Sequence, residues 1–200
     1  MRINSRLEQA FADSIRVKQE FLAAQGEAVL VAARLLAQTL KDGGKILLFG
    51  NGGSAADAQH LAAEFVNRFR VERPPLAAIA LTTDTSILTS IANDYDFREV
   101  FAKQVRALGR AGDVALGIST SGSSANVVTA LQAARELGLK TMALSGGDGG
   151  PVAALADVAV VVPSRSTPRI QEVHITVGHV LCDLVDYLLF PEKVAGEQNP

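Results

Sequence analysis

The feature that most constrains this chain is a unit that occurs twice: an apolar run, a short loop of glycines and hydroxyl residues, then an amphipathic helical pattern. In the first unit Lys45-Ile46-Leu47-Leu48-Phe49 leads into Gly50-Asn51-Gly52-Gly53-Ser54, and a helical pattern opens at Ser54. In the second, Val114-Ala115-Leu116-Gly117-Ile118 leads into Ser119-Thr120-Ser121-Gly122-Ser123-Ser124, and a helix follows from near Ser123. A strand feeding a helix through such a loop presents unpaired backbone N–H groups, and the positive end of the helix dipole favours an anion there. The second loop carries five hydroxyls in six residues, which suits a phosphate and sugar hydroxyls better than a plain helix-entry turn.

From Lys45 onward strands and helices alternate. The reading is strand 45–49, helix 54–69, strand 77–81, helices within 84–108, strand 113–118, helix 123–137, strand 140–145, a short helix after Gly150 and strand 158–162. A last helix runs from about Pro168 to Leu189. Such alternation predicts an α/β fold: a doubly wound parallel sheet with helices on both faces. The two loop units are expected on either side of the middle strands, with their loops facing at the carboxyl ends.

Residues 3–42 read as two helices, one carrying Leu7, Phe11, Ile15, Val17 and Phe21, the other Val29, Val31, Leu35, Leu36 and Leu40, closed by Gly43-Gly44. The last helix is apolar on more than one side, which points to burial against other subunits as well as its own sheet. Met142, Phe97 and Phe101 read as core. The 200 residues make a single domain: a helical segment 1–42, an α/β core with the C-terminal helix over 43–190, and a polar tail 191–200 expected to fray.

Charge narrows the function classes. Nineteen basic against 21 acidic residues give a net charge of −2, no field for gripping nucleic acid and no polybasic strip for a membrane. The cluster Arg68, Arg70 and Arg73 reads as the solvated end of a helix. The single cysteine, Cys182, lies in an apolar stretch and reads as a buried, inert thiol. The first residues lack a signal-peptide core and no segment reaches the length of a membrane span, so a cytoplasmic protein is expected.

Histidine placement carries chemistry. His60 and Glu64 stand one helical turn apart on one face, half of a divalent-metal site or an acid/base pair. The other two histidines, His174 and His179, fall on the last helix, where periodicity pairs Gln171 with His174 rather than with His179. Asn93-Asp94 closes a helical pattern and reads as a turn or cap.

Together these residues resemble the sugar isomerase (SIS) domain family, a flavodoxin-like fold, and within it the phosphoheptose isomerases. The resemblance spans nearly the whole chain: Gly50 to Ser54, His60 and Glu64, Ala92-Asn93-Asp94, Gly112-Asp113-Val114, Ser119 to Asn126, Asp148-Gly149-Gly150, and Arg169-Ile170-Gln171-Glu172 with both downstream histidines. It implies isomerisation of sedoheptulose 7-phosphate to D-glycero-D-manno-heptose 7-phosphate through an enediol, for lipopolysaccharide heptose. It further implies one zinc per subunit on His60, Glu64, Gln171 and His179, with Glu64 as base and His179 as partner acid. Ser119, Thr120, Ser121 and Ser124 would bind the phosphate, while Asn51, Gly52, Gly53, Ser54, Asn93, Asp94, Glu64 and Gln171 would meet the substrate. A homotetramer with shared active sites is the expected assembly. The chain departs from the family pattern at Ser123, where Asn is usual, and at Pro168, where some members carry an acid.

Competing readings are weaker. Gly50-x-Gly52-x-x-Ala55 fits a dinucleotide fingerprint, but the first acid beyond the next strand is Asp84, far past the position a ribose requires. A non-catalytic SIS branch that binds the replication initiator DnaA resembles this chain at Lys103 to Gly109 and Leu181 to Asp186. That adaptor has no need of Glu64 and His179, and a sugar-phosphate sensor needs only the loops. The presence of loops and metal set together favours the enzyme.

Overall fold

The computed structural model describes residues 3–196. Five parallel strands form one sheet: β1 Ile46–Gly50, β2 Ala78–Ala80, β3 Val114–Ser119, β4 Lys140–Gly146 and β5 Val158–Val162. Their order is β2-β1-β3-β4-β5. Between them run α2 Gly53–Val66, α3 Thr85–Asp94, α4 Ala102–Leu108, α5 Ala125–Glu136 and α6 Gly150–Ala154; α1 Ile3–Lys41 precedes the sheet, and α7 Thr167–Leu189 and α8 Pro191–Ala195 follow it.

The two-residue period of the strands sorts their side chains into two cores. Ile46, Leu48, Leu116, Ile118, Met142 and Leu144 face α1, α2 and α7, whereas Leu47, Phe49, Ala115 and Ala143 face α4 and α5. Both faces being covered explains why every residue of β1 and β3 is buried and why these strands read as unbroken apolar runs.

Chain order reverses between β1 and β3, which pair directly from Ile46 with Val114 to Gly50 with Ile118. The two loop units are therefore immediate neighbours, not separated by the middle strands as the sequence suggested. Connections leave the shared edge of β1 and β3 in opposite directions, so both loops open at the switch point, where α/β sheets bind ligands.

Several expectations are corrected. The N-terminal segment is one helix of 39 residues, not two. Gly26 costs about 1 kcal/mol at a helix interior, but no proline breaks the ladder, and packing on α7 and β5 carries the helix through. Phe97 is 58% exposed in a 3-10 turn, Phe97–Glu99, while Phe101 and Met142 are buried as read. Arg73 is not solvated: its side chain is fully buried against Asp186. Part of the tail is helical as α8, and residues 197–200 lie outside the described residues.

Candidate functional site

Loop one is shaped by glycine at two places. Gly52, the residue before α2, has φ +55°, which a side chain would strain. A Cβ on Gly53 would lie 2.5 Å from the Gln171 amide nitrogen, so Gln171 of α7 closes over the start of α2 only because Gly53 is bare. Ser54 is buried beneath the turn.

Loop two is a hydroxyl cluster. Ser119 Oγ lies 2.9 Å from Ser124 Oγ and 3.5 Å from Ser121 Oγ, and Ser123 Oγ donates to Ser121 Oγ at 3.2 Å. Ser124 precedes α5 yet makes no side-chain cap bond, which leaves the first amides of α5 to an incoming anion. Thr120 is half-buried and shares with Ser121, Asp148, Ser164 and Arg165 a cavity of about 300 Å³ at the ends of β3, β4 and β5.

Asn51 and Asn126 join the loops. Each amide donates to the other's carbonyl, at 2.9 and 2.8 Å, across the β1–β3 seam. Asn93 and Asp94 end α3, where the Asn93 amide donates to Asp94 Oδ1 at 2.9 Å and both remain exposed.

α2 and α7 lie side by side and bring His60, Glu64 and His179 together, with one ligand atom from each within 4.8 Å of the others. His60 Nε2 stands 3.0 Å from Glu64 Oε1 and 3.3 Å from His179 Nε2. The rings of His60 and His179 meet edge to face, and Phe69 stacks on His179. The close approach comes from Gly178, where a Cβ would stand 2.5 Å from Leu61 Cδ2.

Of the two histidines on the last helix, His179 faces α2, and His174 does not. His174 is buried beneath β4, its Nε2 3.1 Å from the Ser145 carbonyl, and burial pushes its pKa down to about 4. Gln171 lies eight residues before His179, about 12 Å along the helix axis, so within one chain its amide sits at the Gly53 end of the α2–α7 seam.

One residue escaped the sequence reading. Asp57, a turn before His60 on α2, is half-buried, and its Oδ2 has no hydrogen-bond partner among the described residues. Burial holds its carboxyl above the usual range, against the attraction of His60 and His179. Its i, i+3 spacing to His60 was the available signal.

The residues fit a divalent cation. Two imidazole nitrogens 3.3 Å apart can share only one proton between them, and a carboxylate oxygen converges on the same point. A borderline ion with nitrogen and oxygen preference, such as zinc, suits that donor set.

The chain belongs to the SIS-domain family, whose model matches residues 10–146. Over 198 residues it is 54% identical to a phosphoheptose isomerase of Thermodesulfovibrio yellowstonii, covering 99% of this chain and 98% of that protein. The solved phosphoheptose isomerase GmhA from Neisseria gonorrhoeae is 54% identical and superposes with TM-score 0.88 over 92% of this chain and 99% of its own. A phosphoheptose isomerase from Francisella tularensis, 41% identical, superposes with TM-score 0.90 over 93% of this chain and 99% of its own. Within the SIS family, the chain falls among the phosphoheptose isomerases.

Proposed function

We propose that this protein isomerises sedoheptulose 7-phosphate to D-glycero-D-manno-heptose 7-phosphate in a zinc-dependent reaction in the cytoplasm. The observation that carries the reading is the convergence of His60, Glu64 and His179 in a molecule whose two anion-binding loops open at one switch point. The hydroxyls of Ser119, Thr120, Ser121 and Ser124 and the first amides of α5 take the phosphate. Asn51, Gly52, Gly53, Ser54, Asn93 and Asp94 border the sugar.

Ketose-to-aldose conversion moves one proton from C1 to C2 and another from the C1 hydroxyl to the former carbonyl oxygen. Glu64 takes the proton from C1 and returns it to C2, and His179 serves the oxygens. His60, Glu64 and His179 would hold the zinc ion, which would supply Lewis-acid polarisation of the carbonyl. Gln171 of the same chain lies along the seam from this group, so as a fourth ligand it comes from a neighbouring copy. That arrangement accords with a homotetramer with shared sites. Exposed Ile3, Leu7, Phe11 and Ile15, one stripe of α1, supply apolar surface for it.

Turnover of sedoheptulose 7-phosphate by zinc-loaded protein is the test, with Glu64→Gln alongside. Wild-type turnover falling by roughly 10²- to 10⁴-fold in the variant supports the isomerase and the role of Glu64. A folded, zinc-bound wild type without turnover sinks it and brings forward the DnaA-binding adaptor.

A further inference from the structure

The segment Val71-Glu72-Arg73-Pro74-Pro75, between α2 and β2, delivers a fully buried guanidinium between the two helices that carry the site. Arg73 Nε donates to Asp186 Oδ1 of α7 at 2.7 Å. Its Nη2 donates to the Glu64 carbonyl at 2.9 Å and its Nη1 to the Phe65 carbonyl at 2.7 Å, with longer contacts to the Asn67 and Pro74 carbonyls. α2 ends at Val66, so the Glu64 carbonyl lies in the last turn, where a helix supplies no donor of its own. A cation there also complements the negative end of the helix dipole.

We propose that Arg73 is a positioning residue for Glu64 and His179, fixing how far α2 slides along α7. The proposal rests on the isomerase reading above. Glu64 is held at both ends, its carboxylate against His60 and its carbonyl by Arg73. Asp186 lies seven residues beyond His179, two turns along nearly the same stripe of α7, so the anchor and the histidine move as one. One planar fork thus ties the backbone of the base to the helix of its partner acid.

Stability alone does not require this device. A buried ion pair is often replaceable by well-packed apolar side chains at little cost. Such a replacement cannot bond the Glu64 carbonyl and α7 together, and lysine lacks the fork that spans both.

The test uses full-length, zinc-loaded R73K. The expected result is a kcat for sedoheptulose 7-phosphate lowered about ten- to a hundredfold and a zinc affinity lowered about tenfold or more, measured by chelator competition. KM stays near the wild-type value, because the phosphate loop lies on β3 and α5, away from the clamp. A folded R73K with wild-type kcat and zinc affinity overturns the proposal. Should R73K not fold, D186N carries the same test, since it keeps the carbonyl bonds of Arg73 and loosens its α7 anchor. A wild type that neither turns over substrate nor binds zinc defeats the isomerase reading instead. Crystal structures of R73K and wild type then decide: an altered Glu64-to-His179 separation supports the clamp, and an unchanged one refutes it.

Discussion

His60, Glu64 and His179 show how residue chemistry depends on a few ångströms. All three carried a signal in the sequence, but only the 3.3 Å approach of two ring nitrogens turns them from separate polar residues into one donor set. His174, five residues from His179, faces the sheet instead and stays neutral, with its pKa near 4 against an ordinary 6.5. Above pH 6.5 both folded and unfolded states hold this ring neutral. As pH falls from 6.5 to about 4 the unfolded chain takes up a proton that the folded one refuses, so stability drops by about 3 kcal/mol across that window. Urea unfolding measured between pH 7 and 4 should show this slope, and it should flatten in H174Q.

At the scale of elements, the α2–α7 seam is the working part of the fold. It is closed by Gln171 over Gly53 at one end, by Leu61 against Gly178 in the middle and by Arg73 with Asp186 at the other. G178A places a methyl group 2.5 Å from a packed leucine carbon and should cost about 1–3 kcal/mol in urea unfolding while lowering kcat. Shortening the leucine relieves the clash, so the double variant G178A/L61A should be more stable than the sum of the single changes allows. Additive losses would mean the helices do not meet through this contact.

For the whole molecule, the unpartnered surface matters most. Ile3, Leu7, Phe11 and Ile15 are each more than half exposed on α1. A groove of about 500 Å³ between α1 and α7, lined by Phe21, Leu22, Val29, Val173, Val177 and Val180, continues the apolar face. If four copies bury it, F11E should shift sedimentation from an assembly of four 21.0 kDa chains toward smaller species, with loss of activity where sites are shared. A wild type that sediments as a monomer would remove the assembly from the proposal.

The sequence by itself determined the alternating parallel architecture, because strands buried on both faces leave unbroken apolar runs and loops at a switch point need glycine and hydroxyls. It also marked His60 with Glu64, since one helical turn is a local spacing. It misjudged the split of α1, where tertiary packing overrides a helix-weakening glycine, and the solvation of Arg73, whose partner lies 113 residues away. Asp57 went unnoticed because its burial is a product of tertiary packing, which local spacing does not record. Which histidine joins Glu64, which strands adjoin and which arginine is buried are non-local facts: they follow from the packing of α2 on α7 and of β1 on β3, and periodicity along a chain carries no record of them.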